Sequence, residues 1–385
     1  MSVTAESRST LLRTRADSTG HSPRYVILSP WPVQAGSGVN NVIVGLSTAM
    51  SGQYEPAIVV TGWQRPTDHN QIWLKLRPPF LEARKLAGFL AHLLPTMVRL
   101  FRLTRGAVAV NAHYCGPEIV SLVLLRKLRL APKLVISVHG ADVTDASKAH
   151  GFQRKLYVWI YKSADAVIAC SSALASQVTE ISPCARITPV WNGVSRPPDE
   201  WGARPLQSPY LVSVAAFVKK KGHDVLLHAF KQVLDVHPNL QLVLIGADGP
   251  ERTFITQLVQ DLGLRSNVQM LLDLKHDDVW TWVRHAECFA HAPREEPFGI
   301  AVLEAALAST PIVTTAVGGI PEYLTDRVHG LTCRPDDARQ FAQAVFETLA
   351  NPAEARRRAA AFHARASTFT WDAAWEQYKR TLGLS

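Results

Sequence analysis

Glu296 and Glu304 stand eight positions apart around the short segment Pro297-Phe298-Gly299-Ile300, and that spacing has chemical content. The segment runs from the end of an apolar strand pattern into an apolar helix pattern. Amides at Gly299 and Ile300 open that helix, find no partner inside it and attract phosphate. Glu304 lies five residues beyond Gly299, or ~7 Å along the axis at 1.5 Å per residue. That matches the reach from a diphosphate to the ribose of its nucleotide. A carboxylate there accepts both ribose hydroxyls, while Glu296, on the loop, meets whatever the diphosphate carries. Two glutamates around a helix start are more often solvated surface. The Pro297-Phe298-Gly299 turn, with a second loop at Gly318-Gly-Ile-Pro-Glu322, favours a site.

Other residues point the same way. His139 ends the apolar run 133–138, at the carboxyl edge where sites of parallel α/β sheets collect. His113 also ends an apolar run, and a supporting part is expected of it. Gly36 and Gly38 follow the first strand and precede a helix, which lets backbone approach a ligand closely. A lone G-x-G is usually only a turn, and the third glycine of a dinucleotide fingerprint is missing. Lys219-Lys-Lys221-Gly222 opens a helix, a poor place for positive charge unless an anion lies nearby. No D-x-D and no histidine pair at helical spacing occurs, so no metal is expected. The five cysteines are scattered and form no C-x-x-C.

These residues need a scaffold that collects strand ends. Short apolar runs at 25–29, 56–61, 107–111, 133–138, 166–169 and 186–191 alternate with helix-like stretches, which argues for a parallel sheet covered on both faces. Residues 195–209 hold four prolines and no apolar periodicity, a linker composition. Beyond them the rhythm restarts, with strands expected at 210–215, 241–245, 287–290 and 311–315. The reading is two successive α/β domains, residues 25–195 and 210–368, with a ligand cleft between them. Residues 1–24 read as a flexible leader.

With 385 residues, 47% hydrophobic and 19% charged, the composition is that of a globular chain. A formal net charge of +9 favours anionic partners, but no zinc-finger spacing, RNA-binding aromatic signature or basic tail supports nucleic acid. The polar N-terminus has no signal-like apolar core, and no unbroken run of 18 apolar residues occurs, so a chain that does not span a membrane is expected, located in the cytoplasm. The basic amphipathic stretches 83–105 and 122–133 suit either a core helix with basic flanks or an anionic membrane surface.

In sequence the chain resembles the retaining glycosyltransferases of family four, which have the GT-B fold of two facing Rossmann-like domains. The matching pieces come in the family's order: Gly36-Ser-Gly38, His139-Gly-Ala-Asp142, Asn192-Gly-Val194, Lys221-Gly222, Gly246-Ala-Asp-Gly-Pro250, the 296–304 segment and Gly318-Gly-Ile-Pro-Glu322. The aromatic C-terminal stretch 369–385 resembles the helix that packs back on the N-terminal domain. The resemblance implies His139 and Glu296 as active-site residues beside the donor sugar. It implies a donor site of Gly36, Gly38, Lys221, Phe298, Gly299, Ile300 and Glu304. The donor would be a UDP- or GDP-linked sugar, used without cofactor or metal, and the acceptor a glycan or lipid-linked glycan. Two departures stand out. Ala216 occupies the place of an expected diphosphate-binding arginine, which leaves Lys219 or Lys220 to supply the second charge, and the 246–250 turn is one residue longer than the family's usual G-x-G-P turn. An epimerase, a phosphorylase or a non-catalytic binding protein could share this architecture.

Overall fold

The computed structural model describes residues 22–33, 38–79, 82–114 and 116–384. Unbroken apolar runs such as Tyr25-Val-Ile-Leu28 have no wet face, and they form strands covered on both sides. Seven of them build one parallel sheet: β1 (Arg24–Ser29), β2 (Glu55–Val60), β3 (Ile72–Trp73), β4 (Ala107–His113), β5 (Lys133–Val138), β6 (Ala166–Ala169) and β7 (Ile187–Pro189). Their spatial order is β3-β2-β1-β4-β5-β6-β7, so the order reverses between β1 and β4. Pro189, which has no amide to donate, sits on the edge strand.

A second parallel sheet follows with β8 (Tyr210–Val214), β9 (Gln241–Gly246), β10 (Val268–Leu272), β11 (Cys288–His291), β12 (Ile312–Thr315) and β13 (Leu331–Cys333). Its order is β10-β9-β8-β11-β12-β13, again reversing beside the first strand. Ligands bind at such reversal points. Both face each other across one cleft, so the arrangement is GT-B.

Two chain crossings join the halves. Residues 190–209 form no regular element, although Trp201 is held against Trp280 with ring centroids 6.2 Å apart. The return crossing leads into the helix Trp371–Leu382, and Val194 N donates to Phe369 O at 2.9 Å where the two crossings meet. That last helix lies on the N-terminal domain. Trp375 packs edge-on against Tyr25 and Tyr54, with centroids 5.3 and 5.4 Å away.

Glu322, at the end of the Gly318–Glu322 loop, reaches over from the C-terminal domain. Its carboxylate accepts from the amides of Ser172 and Ala173, at 3.0 and 2.9 Å, and from Trp191 Nε1 at 2.8 Å. Those amides open the helix Ser172–Ile181, so an acid of one domain caps a helix of the other.

Although no unbroken run of 18 apolar residues occurs, the stretch Lys85–Thr104 is, by length and mean composition, long and apolar enough to cross a bilayer. It belongs to the helix Ala83–Thr104, which continues through Pro95. The two-residue β3, the edge strand β10 and the three-residue β13 were also not apparent from the chain's pattern.

Candidate active site

A cavity of about 390 Å³ lies between the domains. It brings together Gly38 and His139 from the first half with Lys220, Lys221, Glu296, Phe298, Gly299, Ile300 and Glu304 from the second. Gly36 lies outside the described residues. Gly38 starts the helix Gly38–Met50, with open space where a side chain would stand.

On the C-terminal side Gly299 takes φ +93° at the start of the helix Ile300–Leu307. A side chain there would collide with the Tyr323 hydroxyl at 2.6 Å, so the turn requires glycine. The first amides of an α-helix have no partner within it, and Gly299, Ile300 and Ala301 at this helix start line the cavity. Glu304, one and a half turns on, lines the same cavity, and its Oε1 is 2.9 Å from His276 Nε2. Phe298 borders the cavity, but its ring is buried against Tyr323 and Phe369. The ring therefore anchors the turn and does not contact the cavity contents through its face.

Glu296 is buried, and Lys221 Nζ donates to its Oε2 at 2.6 Å. His291 Nε2 stands 3.3 Å from the same oxygen. Burial alone would raise the Glu296 carboxyl; the Lys221 charge and the His291 hydrogen bond more than reverse this and leave it at about 2. Burial lowers the pKa of His291, so at neutral pH it is an uncharged donor and Lys221 is the counter-charge. Arg294 braces this loop from outside. It binds Asp224 through both terminal nitrogens at 2.8 and 2.7 Å, Asp336 at 2.6 Å, and the Lys219 carbonyl at 2.9 Å. The lysine turn is thereby tied to the glutamate loop.

Ala216 lines the cavity and contributes no charge. Lys220 lines it too, whereas Lys219 does not. Of the two lysines that might replace the missing arginine, the structure thus brings Lys220 to the site.

On the N-terminal side His139 is held by its own turn. Asp142 accepts from the amides of His139, Gly140 and Val143 at 3.0, 2.8 and 3.0 Å. Burial raises Asp142 to about 6 against the pull of those amides. Gly140 has φ +116°, and a side chain on it would lie 2.2 Å from Pro297 of the opposite domain.

Behind His139 runs a buried chain of hydrogen bonds whose directions follow from its chemistry. The Asn111 amide nitrogen can only donate, and it is 3.0 Å from His113 Nε2. His113 therefore keeps its proton on Nδ1 and gives it to His139 Nε2 at 3.0 Å. His139 in turn carries its proton on Nδ1. The far end of the chain is Ser137 Oγ, which donates to Asn111 Oδ1 at 2.9 Å and lies 3.0 Å from the Tyr378 hydroxyl on the C-terminal helix. Burial lowers His139 to about 4 and His113 well below its usual value, so both rings are neutral at physiological pH.

His291, His276 and Asn111 were missed in the sequence because no local spacing ties them to the glutamates or to His139. Among the described residues no group of three His, Cys, Asp or Glu side chains is arranged to hold a metal.

A second cavity of about 390 Å³ adjoins the first across Glu296 and Pro297. Thr144, Ser147, Lys148 and Gln177 line it from one domain, Lys220 and Glu295 from the other.

The fold defines a GT-B protein with a cavity between its two domains, and comparison with known proteins names the family. Residues 200–364 match the family described as Glycosyl transferases group 1, and residues 36–196 match Glycosyltransferase Family 4. The chain belongs to the group 1 glycosyltransferases of the GT-B class. It is 31% identical over 218 residues to a glycogen synthase of Mycobacterium tuberculosis, which covers 55% of this chain and 52% of that protein. It is 31% identical over 249 residues to a D-inositol 3-phosphate glycosyltransferase of the same species, covering 58% and 50%. The chain therefore aligns with about half the length of the curated relatives it matches. Among solved structures, sucrose-phosphate synthase from Thermosynechococcus elongatus superposes with a TM-score of 0.75 at 21% identity, over 93% of this chain and 98% of that one. Anabaena HepE, crystallised with UDP and glucose, gives 0.76 at 17% identity, over 94% and 99%. These two likenesses concern the fold.

Proposed function

We propose that the chain transfers a sugar from a nucleoside-diphosphate donor to an acceptor hydroxyl, with retention at the anomeric carbon. The observation that carries this reading is the single cavity in which Lys221, Glu296, Glu304 and a helix start face His139 and Gly38. The donor diphosphate takes Lys220, Lys221 and the Gly299 and Ile300 amides, and Glu304 accepts from the ribose. Lys221 cannot serve the diphosphate fully while paired with Glu296. Donor binding thus exchanges partners: phosphate takes the ammonium, and the freed carboxylate meets the sugar hydroxyls. His139 presents its Nδ1–H to the sugar from the opposite wall. Charge developing on the leaving phosphate is met by fixed lysines and amides, without a metal. The departing phosphate oxygen takes the acceptor proton in a same-face attack, so no carboxylate nucleophile is required.

HepE was crystallised with UDP and with UDP-glucose, which favours a UDP-sugar over a GDP-sugar as donor here. The adjoining cavity shares Glu296 and Lys220 with the first and is lined by hydroxyl and amide side chains, which suits a glycan or lipid-linked glycan acceptor reaching the anomeric carbon from that side. The enzyme would then work in the cytoplasm or on the inner face of its membrane. Epimerase and phosphorylase readings draw no support from the transferase relatives.

The test is thermal unfolding with UDP-, GDP- and ADP-sugars, followed by turnover of the one that binds. At a donor concentration of ~100 Kd the expected stabilisation is about 2.7 kcal/mol. If none of these donors stabilises the folded chain, the reading is wrong. If one binds tightly and no acceptor or water ever receives its sugar, the chain is a binding protein.

A further inference from the structure

The helix Ala83–Thr104 is built inside out. Its inner side is anchored in the N-terminal core by Phe89 and Leu100, which are 6% and 0% exposed. Its outer side carries Leu90, Leu94 and Val98, one turn apart at i, i+4 and i+8, with exposures of 58%, 71% and 40%. Ala87, Ala91 and Pro95, on the same side, are exposed as well. Solvent-facing helix sides are ordinarily polar, so a contiguous apolar one marks an interaction surface. Only 11% of its most apolar stretch is buried, which separates it from an ordinary core helix.

Charge indicates what covers it. Residues 83–133 hold nine Lys and Arg and one acid, Glu118, whose side chain is turned inward to the Gly116 amide at 2.7 Å; of the nine, Lys85 pairs with Glu82 and Arg126 with Asp165, both outside that stretch. Arg99, Arg102 and Arg105 at the helix end make no ion pair among the described residues. The neighbouring helix Val120–Lys127 packs against it and, in a parallel α/β domain, runs the same way. Its end adds Lys127 and Arg129 beside Leu128 and Leu130, which are 61% and 49% exposed. Both helix ends lie at the side of the sheet remote from the cleft, so a surface held there leaves the active site open.

We propose that this face docks on an anionic lipid bilayer, with Leu90, Leu94 and Val98 in the acyl boundary and the arginines among the headgroups. A second copy of the chain would bring the same unpaired arginines face to face, which disfavours self-association. The helix lies in the membrane plane and does not span it, because spanning would tear Phe89 and Leu100 from the core. The inference does not rest on the glycosyltransferase reading.

The experiment is co-sedimentation of the full chain with vesicles of phosphatidylcholine alone and of phosphatidylcholine with an equal part of phosphatidylglycerol. Wild type is expected to bind the anionic vesicles, release at high salt and leave the neutral ones largely alone. Leu90→Ser with Leu94→Ser should weaken binding on the order of tenfold or more, and Arg99→Glu with Arg102→Glu comparably. Because these side chains are exposed, the melting temperature should be unchanged in each variant. Leu94→Trp supplies a second readout: its emission should shift to the blue on anionic vesicles. Binding that is absent, or indifferent to lipid charge and to all four substitutions, overturns the proposal. So does a solution dimer that the leucine substitutions dissolve, which would assign the face to a second copy.

Discussion

On the C-terminal wall of the cleft Lys221 is already paired with Glu296, Glu304 with His276, and Arg294 with two aspartates. On the N-terminal wall His139 carries no charge and ends a buried chain of neutral hydrogen bonds. On the proposed reading one wall would change partners when a diphosphate arrives, whereas the other is ready before it does. The difference follows from burial. A charge in a closed pocket needs a counter-charge while it waits, but a neutral imidazole needs only a fixed tautomer. On the same reading, substrate binding energy would be used mainly on the C-terminal wall.

Glu296→Gln gives the largest expected effect. It removes the carboxylate that the exchange releases, and kcat should fall on the order of 100- to 1,000-fold with the donor still bound. A rate within about threefold of wild type, in a steady-state assay with the preferred donor, would remove the exchange from the mechanism.

Lys221→Met comes next, with kcat/KM reduced on the order of 100-fold because the leaving phosphate loses its nearest cation. Lys220→Met should cost less, and adding Ala216→Arg to it should recover donor affinity, since both place a cation on the same cavity wall. If Ala216→Arg rescues nothing, Lys220 does not stand in for the missing arginine.

The neutral wall is tested by pH. With His139 at about 4, kcat/KM should show no histidine titration between pH 8 and 6. An acid limb near 6.5 that disappears in His139→Asn would show a charged imidazole and erase the contrast. Both walls lose stability on the acid side. The contribution linked to His139 is full above 6.5 and is lost as pH falls toward about 4; that of Glu296 is full above 4.5 and is lost toward about 2. His113→Leu should cut kcat on the order of tenfold by freeing the tautomer. Nitrogen NMR of wild type should show the His139 proton on Nδ1, and a proton on Nε2 would contradict the chain of donors.

Glu322→Ala has the smallest effect, on a contact that both walls share. Losing an interdomain cap should lower unfolding stability by about 1–2 kcal/mol, read from the denaturant midpoint, with the chemistry little changed. A large loss of kcat would show that this contact sets the closed position of the domains.

Much of the fold was readable because buried parallel strands are near-continuous apolar runs: β1 holds Tyr25–Leu28, β6 is apolar throughout, and β5 and β8 are each broken only by one buried serine, Ser137 and Ser213. Edge strands escape this signal. In β10 Gln269 interrupts the run, and β3 spans only two residues. In the site, 296–304 was legible since a loop and the helix after it keep carboxylates at a fixed distance along the chain. His276 lies 28 residues before Glu304, and only the sheet order brings them together. Likewise Lys220 could not be told from Lys219 without the turn that Arg294 holds. The outward face of Ala83–Thr104 was undecidable because amphipathicity shows that a helix has two sides and leaves open which one the core receives.

The placement of Trp375 bears on how the molecule is made. Tyr25 and Tyr54, among the first residues of the N-terminal domain to leave the ribosome, close their gap with a ring that is synthesised more than 300 residues later. The domain begun first is thus completed last, after the other has had time to fold. A chain truncated before Trp371 would leave that hole open in the half that carries His139, while the half that carries Glu296 would keep all its strands.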